Sequence, residues 1–250
     1  MKVAVLQPGY LPWLGFFEQI ARVDTFVVYD DVQYTVNDWR NRNRIKTPTD
    51  VSWLTVPVKK EKHLEKFIKD IEIDNSQHWQ IKHLGKLQSS YNKAKYFTEI
   101  MELIDEIFKK DYKFLIDVDM DFINKVNEYL SVSTKLIFSS NIPSVGSKSE
   151  RLLSICKYFS TTHYLSGSAA RNYLKESIFT KDGIVIEWQD YKHPYYNQLW
   201  LKEQGFISHL SIIDLLFNQG PDSLAILTGE KIIEKPDWVV IKHADDFKKT

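Results

Sequence analysis

The 250-residue chain has one cysteine, Cys156, which excludes a disulfide framework and any cysteine-based zinc cluster. It has no surplus of positive charge: 33 basic residues meet 33 acidic ones, for a formal net charge of zero. Nucleic-acid binders usually carry a basic surplus, so any anion site here must be local, and no nucleic acid is expected as partner. No apolar run approaches the roughly 20 residues that cross a bilayer. No charged segment followed by an apolar run opens the sequence either, so the expectation is a cytoplasmic protein without a membrane span. Internal repeats and low-complexity tracts are also missing. Apolar residues make up 43% of the chain, enough for a sizeable core, and the aromatic share of 14% includes 7 Trp and 13 Tyr. Such rings suit pockets for bases and sugars as well as ordinary cores.

The first 35 residues are the most informative. Val3–Leu6 is a short apolar run of the kind buried in a parallel sheet. Gln7-Pro8-Gly9-Tyr10-Leu11-Pro12-Trp13-Leu14-Gly15-Phe16 follows, leading into Leu14, Phe17, Ile20 and Ala21 at helical spacing. A second strand, Phe26–Tyr29, runs into Asp30, Asp31, Gln33 and Tyr34. Paired in parallel, the two strands place residues 7–16 and 30–34 side by side at the edge where open α/β folds bind ligands. The helix after Pro12 aims its N-terminus at the loop and favours an anion there. A strand-to-helix turn packed with aromatics is the structural alternative. Adjacent carboxylates ending a strand can hold a ribose hydroxyl or a magnesium ion, or act as a base, and in an extended chain only one of them faces a pocket.

Further along, Trp39–Lys46 reads as a strand with Arg40, Arg42, Arg44 and Lys46 on one face and Asn41 and Asn43 on the other; Trp53–Val58 returns to complete a hairpin. Arginine's planar fork suits phosphate, and a charged outer face is the alternative. Residues 76–130 read as helical throughout, with Trp79, His83, Leu87 and Tyr91 on one stripe, His83 being there for packing. Lys135–Phe138, Tyr164–Leu165 and Ile184–Trp188 read as further strands, and Ser149 as the cap of a helix through Phe159. Ser166-Gly-Ser168-Ala-Ala-Arg171 forms a turn of the anion-binding kind, leading into a helix to Lys175. His193, beside Pro194 and ahead of Gln198, is a candidate acid or base. Ser211-Ile-Ile-Asp214 reads as a capping box, and the tail after Pro236 as a terminal excursion. Cys156, among Leu152, Leu153 and Ile155, reads as core.

The expected architecture is therefore α/β and Rossmann-like, a mostly parallel sheet formed by residues 1–75 and 131–250, with a helical insertion or subdomain at 76–130. Asp30, Asp31 and His193 are the candidate catalytic residues. Gln7, Tyr10, Trp13, Gln33, Tyr34, Arg40, Arg42, Asn43, Ser166, Ser168, Arg171 and Gln198 are the candidate binding residues. No metal-ligand set is assigned.

The opening Gln-Pro-Gly-Tyr-Leu-Pro-Trp-Leu-Gly-Phe-Phe, the Tyr-Asp-Asp-Val-Gln-Tyr and the Trp-Arg-Asn-Arg-Asn-Arg-Ile-Lys segments together resemble the WbqC-like protein family. The likeness extends to Tyr164-Leu-Ser-Gly, His193-Pro-Tyr with Gln198, and Leu210-Ser-Ile-Ile-Asp214 with Asn218 and Gly220. It implies a place in bacterial surface-polysaccharide (O-antigen, lipopolysaccharide) biosynthesis, and a transferase acting on a nucleotide-linked sugar, by acyl or aminoacyl transfer to a sugar amine. A more distant likeness is to nucleotidyltransferases of the HIGH superfamily. Trp13-Leu14-Gly15-Phe16 stands where their His-x-Gly-His would be, Asp24 precedes the next strand, and Ser166–Arg171 takes the place of their late turn. Both histidines are replaced by aromatics, which sets this chain apart from their usual mechanism. That likeness implies nucleotidyl transfer, with magnesium at Asp30 or Asp31, as the alternative reaction. A non-catalytic nucleotide-sugar binding protein is the third reading.

Overall fold

Val3 and Ala4 are fully buried, and so is the strand they occupy, β1 (Lys2–Leu6), through most of its length. The computed structural model describes residues 1–36, 38–61 and 63–247. Four more strands join β1 in one sheet: β2 (Thr25–Val28), β5 (Lys135–Phe138), β6 (His163–Gly167) and β7 (Val185–Gln189). All pairings are parallel and the order is β5-β2-β1-β6-β7. The inner strands β1 and β2 are covered on both faces, which is why they read as apolar runs rather than as alternating patterns. Ala4, Phe26, Val28 and Leu165 point into a core shared with helix α1 (Leu14–Ala21) and with α2 (Trp79–Tyr91), α3 (Phe97–Phe108) and α4 (Leu115–Tyr129). Val3, Val5, Val27 and Tyr164 point the other way, against α5 (Lys148–Tyr158) and α6 (Glu176–Lys181), where Cys156 lies as packing.

The chain builds outward from β1 through β2 to β5, then crosses back over β1 to lay down β6 and β7. The strand order therefore reverses between β1 and β6, and a crevice opens beyond the carboxyl ends of those two strands. Three smaller pieces close around that edge. Strands β3 (Arg42–Lys46) and β4 (Val51–Thr55) form an antiparallel hairpin, with Arg44 opposite Trp53. The short α7 (Leu201–Gln204) leads into β8 (Phe206–Ser208), and α8 (Ile212–Gln219) and α9 (Ser223–Leu227) follow. The chain then returns as β9 (Ile241–His243), paired in parallel with β8, so the segment after Pro236 is a structural strand and not an excursion. No helix among the described residues is long and apolar enough to cross a membrane.

Several local expectations need correcting, each for a tertiary reason. Trp39 and Arg40 stand outside β3, because the Tyr10 N–H takes both their carbonyls at 3.1 Å and draws them into a turn. The returning strand ends at Thr55; Pro57 has no N–H to donate, and Val58 pairs instead with Ile73. The α5 cap position falls to Ser147, while the Ser149 hydroxyl accepts the Lys175 N–H at 3.1 Å. Residues Ser168–Asn172 wind as a 3₁₀ turn, and the following α-helix starts at Glu176. Ser211 does cap α8 by accepting the Ile213 N–H at 3.3 Å, but the Asp214 carboxylate does not complete a box, since Tyr91 and Tyr196 claim it.

Candidate functional site

The loop leaving β1 is fixed from outside itself. Arg40 donates from Nη1 to the Pro8 carbonyl at 2.7 Å, and Asn43 donates from Nδ2 to the Leu11 carbonyl at 2.8 Å. Gly9 is required by this closeness: a Cβ there would sit 2.7 Å from the Trp39 carbonyl oxygen. Gly15 is required by the indole of Trp13, which lies where a side chain would go. On the opposite wall the Ser211 N–H donates to the Arg44 carbonyl at 2.9 Å, and the Ile212 N–H to that of Pro12 at 2.9 Å. Four stretches separated in sequence thus converge beyond β1: residues 7–13, 38–44, 208–211 and 243–245.

Two cavities open there and share Leu6, Gln7 and Arg40 as a common wall. The first, about 320 Å³, lies between Trp13, Phe16 and Trp39 on one side and Arg44, His209, His243 and Asp245 on the other. The second, about 400 Å³, lies at the ends of β1 and β6, among Tyr29, Lys148, Ser166, Gly167 and Tyr173. Both volumes fall in the range of small-molecule sites. Two non-glycine residues in the left-handed backbone region line them, His209 at φ 61° and Lys148 at φ 48°, and Leu11 at φ 48° shapes the loop between. Each such conformation costs on the order of 1–3 kcal/mol and is characteristic of ligand sites.

The histidines come from separate strand ends. The His209 ring stacks on Trp13 at 5.8 Å and 15°, lies 3.9 Å from His243 and 5.1 Å from His193 between ring centroids. His243 Nδ1 accepts the Asp245 N–H at 3.1 Å, so the neutral ring carries its proton on Nε2. Asp245 also receives Arg44 Nη1 at 2.7 Å. Burial acts to raise the Asp245 pKa, but the Arg44 hydrogen bond and charge, with His243 and His209 adding, hold it below the ordinary carboxylate value. Burial, then the neighbouring His243, lowers the His209 pKa against the opposing pull of Asp245. Arg44 itself lies between the Trp39 and Trp53 rings, at 4.9 and 5.2 Å.

Of the residues singled out from the sequence, Gln7, Trp13, Arg40 and Asn43 line the first cavity, Gln7 and Arg40 also line the second, and Ser166 joins them there. The Gln7 amide makes no hydrogen bond to a described residue. Arg40 is largely buried, and the cost of burial, only partly offset by Asp38 and Asp119, lowers its pKa, although a guanidinium remains charged.

The others lie elsewhere. Tyr10 is fully buried, its hydroxyl hydrogen-bonded to His83 Nδ1 at 2.8 Å, which accounts for a polar residue inside the packing. Asp30 accepts Ser140 Oγ at 2.7 Å, Ser140 N at 3.0 Å and Ser139 Oγ at 3.0 Å. Asp31 pairs with Arg151 and Ser139. Both carboxylates therefore tie the end of β2 to the segment after β5. Gln33 donates to the Leu64 carbonyl at 2.7 Å on the surface. Tyr34 and Arg42 border a separate cleft of about 230 Å³, with Arg42 over the Trp53 ring at 4.4 Å. Ser168 is exposed, and Arg171, also exposed, stacks on Trp188 at 4.7 Å. Gln198 is buried in a network with Lys46, Tyr196 and Ile207. Asp24 holds the start of β1 by accepting the Lys2 N–H at 2.7 Å, at the opposite end of the strand from the crevice. Trp39, His209, His243 and Asp245 are cavity residues that sequence reasoning missed. The one local sign of the last two is a histidine followed two residues later by an aspartate, a short capping pattern that nothing in the sequence connects to β1. Among the described residues no group of three or more His, Cys, Asp or Glu side chains is arranged to hold a metal ion.

His193 lies behind His209, with Nε2 buried and unpartnered, and burial followed by the charge of His209 pushes its pKa down to about 3. The folded protein therefore resists a proton that the unfolded chain takes up near 6.5. Stability is full above that pH and is lost as pH falls from about 6.5 toward 3. Between pH 7 and pH 5 the wild type is expected to lose about 1–2 kcal/mol more than His193→Phe, as read from urea unfolding at the two pH values.

Sheet order, crevice and paired cavities together define an α/β protein of Rossmann-like topology with its candidate site at the strand-order reversal. The chain belongs to the WbqC-like protein family, whose model matches residues 7–226. It is 39% identical over 224 residues to the uncharacterized protein Rv1507c of Mycobacterium tuberculosis (strain ATCC 25618 / H37Rv), a match covering 89% of this chain and 95% of the relative. No solved structure matches the chain. His209 lies within the family-matched stretch, whereas His243 and Asp245 lie beyond its end.

Proposed function

We propose that this protein is a cytoplasmic enzyme of surface-polysaccharide (O-antigen) precursor biosynthesis that transfers an acyl or aminoacyl group to an amino group of a nucleotide-linked sugar. One observation supports this reading above the rest: two cavities meet at Arg40 beyond β1, and the histidines among their lining residues, His209 and His243, both lie in the first. A two-part ligand joined by phosphate fits a two-part cleft joined by a buried guanidinium. Trp13 and Trp39 supply aromatic lining for a sugar ring. In the transfer, the sugar nitrogen forms a bond to the carbonyl carbon of an acyl or aminoacyl thioester or ester. His209, whose pKa is lowered by burial and by His243, takes the proton the nitrogen sheds, and the donor's thiol or hydroxyl leaves with a proton. Asp30 and Asp31, already engaged with Ser139, Ser140 and Arg151, act by positioning the β2 end.

Nucleotidyl transfer is the second reading. It is favoured by the stacking of His209 on Trp13, which brings an imidazole to the turn that lacks one in sequence. Magnesium-dependent release of pyrophosphate would distinguish it, and ligand binding with no turnover from any donor would mark a binding protein. The class is tested by a thermal-shift screen of nucleotides, nucleotide sugars, acyl-CoAs and aminoacyl esters. A ligand at a hundred times its Kd stabilises the fold by about 2.7 kcal/mol, so nucleotide-containing compounds are expected to raise Tm. A screen in which none does so contradicts the proposal.

A further inference from the structure

We infer the direction in which the ligand lies: the nucleoside occupies the β1–β6 cavity and the sugar occupies the Trp13–His209–His243 cavity, with the diphosphate crossing over Gln7 and Arg40. This inference rests on the nucleotide-sugar reading above and adds an orientation to it.

Charge decides where phosphate can sit. In the first cavity the Arg44 guanidinium is already neutralised by Asp245 at 2.7 Å, and that carboxylate would repel a phosphate. In the β1–β6 cavity the lining holds Lys148 and Arg40 and no carboxylate. Lys148, the first residue of α5, forms no ion pair with a described residue. The phosphates are therefore drawn to the junction and to the β1–β6 side.

Surface chemistry separates the two ends. The β1–β6 cavity is lined by Tyr29, Tyr164 and Tyr173 together with the small residues Gly167, Ala169 and Ala170, a combination of rings and open backbone suited to a planar base. Its hydroxyl donors and acceptors are those of Ser166 and the tyrosines. Asp30 and Asp31, the carboxylates the sequence offers for a ribose, are turned to Ser139, Ser140 and Arg151. The other cavity combines two indoles with imidazoles and the Asp245 carboxylate, a mixture that matches the apolar faces and hydroxyl edges of a hexose. A reaction on the sugar then takes place beside His209 and His243, whereas the reverse orientation would place those groups against the base.

The test is calorimetric titration with UDP, GDP and dTDP, and with UDP-glucose, GDP-mannose and dTDP-glucose. The proteins are the wild type, Ala169→Trp and His243→Ala. Ala169→Trp, on an exposed rim, narrows the β1–β6 slot. It is expected to weaken whichever bare diphosphate binds, and its sugar conjugate, by the same factor of more than tenfold. His243→Ala is expected to leave the bare diphosphate within about twofold while weakening the conjugate about fivefold. Should Ala169→Trp unfold, Tyr173→Ala replaces it with the same expected pattern, its side chain being mostly exposed. The opposite pattern, or no effect from either variant, overturns the orientation. Failure of all six compounds to bind the wild type overturns the nucleotide-sugar reading itself.

Discussion

Arg40→Ala is expected to weaken the binding of a nucleoside diphosphate by about a hundredfold, equivalent to about 2.7 kcal/mol. The guanidinium is the one cation shared by both cavities, and it is largely removed from water. Its Nη1 is committed to the Pro8 carbonyl and its Nε lies 3.5 Å from an Asp38 oxygen, so a fork of further donors remains for a ligand. Truncating a buried charged partner in a binding site costs 2–5 kcal/mol or more, against under 1 kcal/mol for a surface pair. Arg40→Lys keeps the charge and loses the planar fork, and it is expected to fall between alanine and wild type. Calorimetric Kd values for the three proteins check the order. Equal Kd values would take the ligand away from Arg40.

Asp214→Ala is expected to cost about 3–5 kcal/mol of folding stability, the amount typical of breaking a buried charged network. Asp214 is fully buried. Its Oδ1 accepts the Tyr91 hydroxyl at 2.8 Å and its Oδ2 the Tyr196 hydroxyl at 2.9 Å. The network continues through Gln198 Nε2, 3.3 Å from the Tyr196 hydroxyl, to Lys46, whose Nζ donates to Gln198 Oε1 at 3.1 Å and to the Gly205 carbonyl at 2.6 Å. Removing the carboxylate strands two hydroxyls and leaves the Lys46 charge, whose pKa burial has already lowered to about 8, without its nearest compensating anion. This network carries the β3 strand and the β8 segment, and so the wall bearing Arg44 and His209. Asp214→Asn keeps the shape and one acceptor and is expected to cost less. Urea unfolding of the three proteins measures both values; a loss under 1 kcal/mol for alanine would show that the network does not hold that wall.

The inner part of the sheet was legible because β1 and β2 are buried on both faces and so appear as apolar runs, and because Pro8, Gly9, Pro12 and Gly15 mark where β1 ends. Those two facts placed the crevice beyond the end of β1 but not its second wall, which the end of β6 supplies in place of residues 30–34. The roles of individual polar residues did not, because each depends on a partner far along the chain. Tyr10 stood as a binding candidate until His83, 73 residues on, supplied its hydrogen bond inside the core. Asp30 and Asp31 looked available until Ser139 and Arg151, more than 100 residues on, occupied them. The Arg40–Lys46 stripe alternates in sequence, but its members part in space: Arg40 and Arg44 line the crevice, Arg42 lies over Trp53 beside a separate cleft, and Lys46 is buried against Gln198. His209 and His243 meet only because β8 and β9 pair, with Ser208 opposite His243, a pairing of three-residue strands too short to leave a pattern.

A crystal structure of the protein soaked with the nucleotide sugar that gives the largest thermal shift tests the central claim most directly. The account predicts density beyond the ends of β1 and β6, with the diphosphate within hydrogen-bonding distance of Arg40 and both cavities filled. Density confined to another surface, such as the cleft bordered by Tyr34 and Arg42, with the crevice beyond β1 still empty, would contradict it.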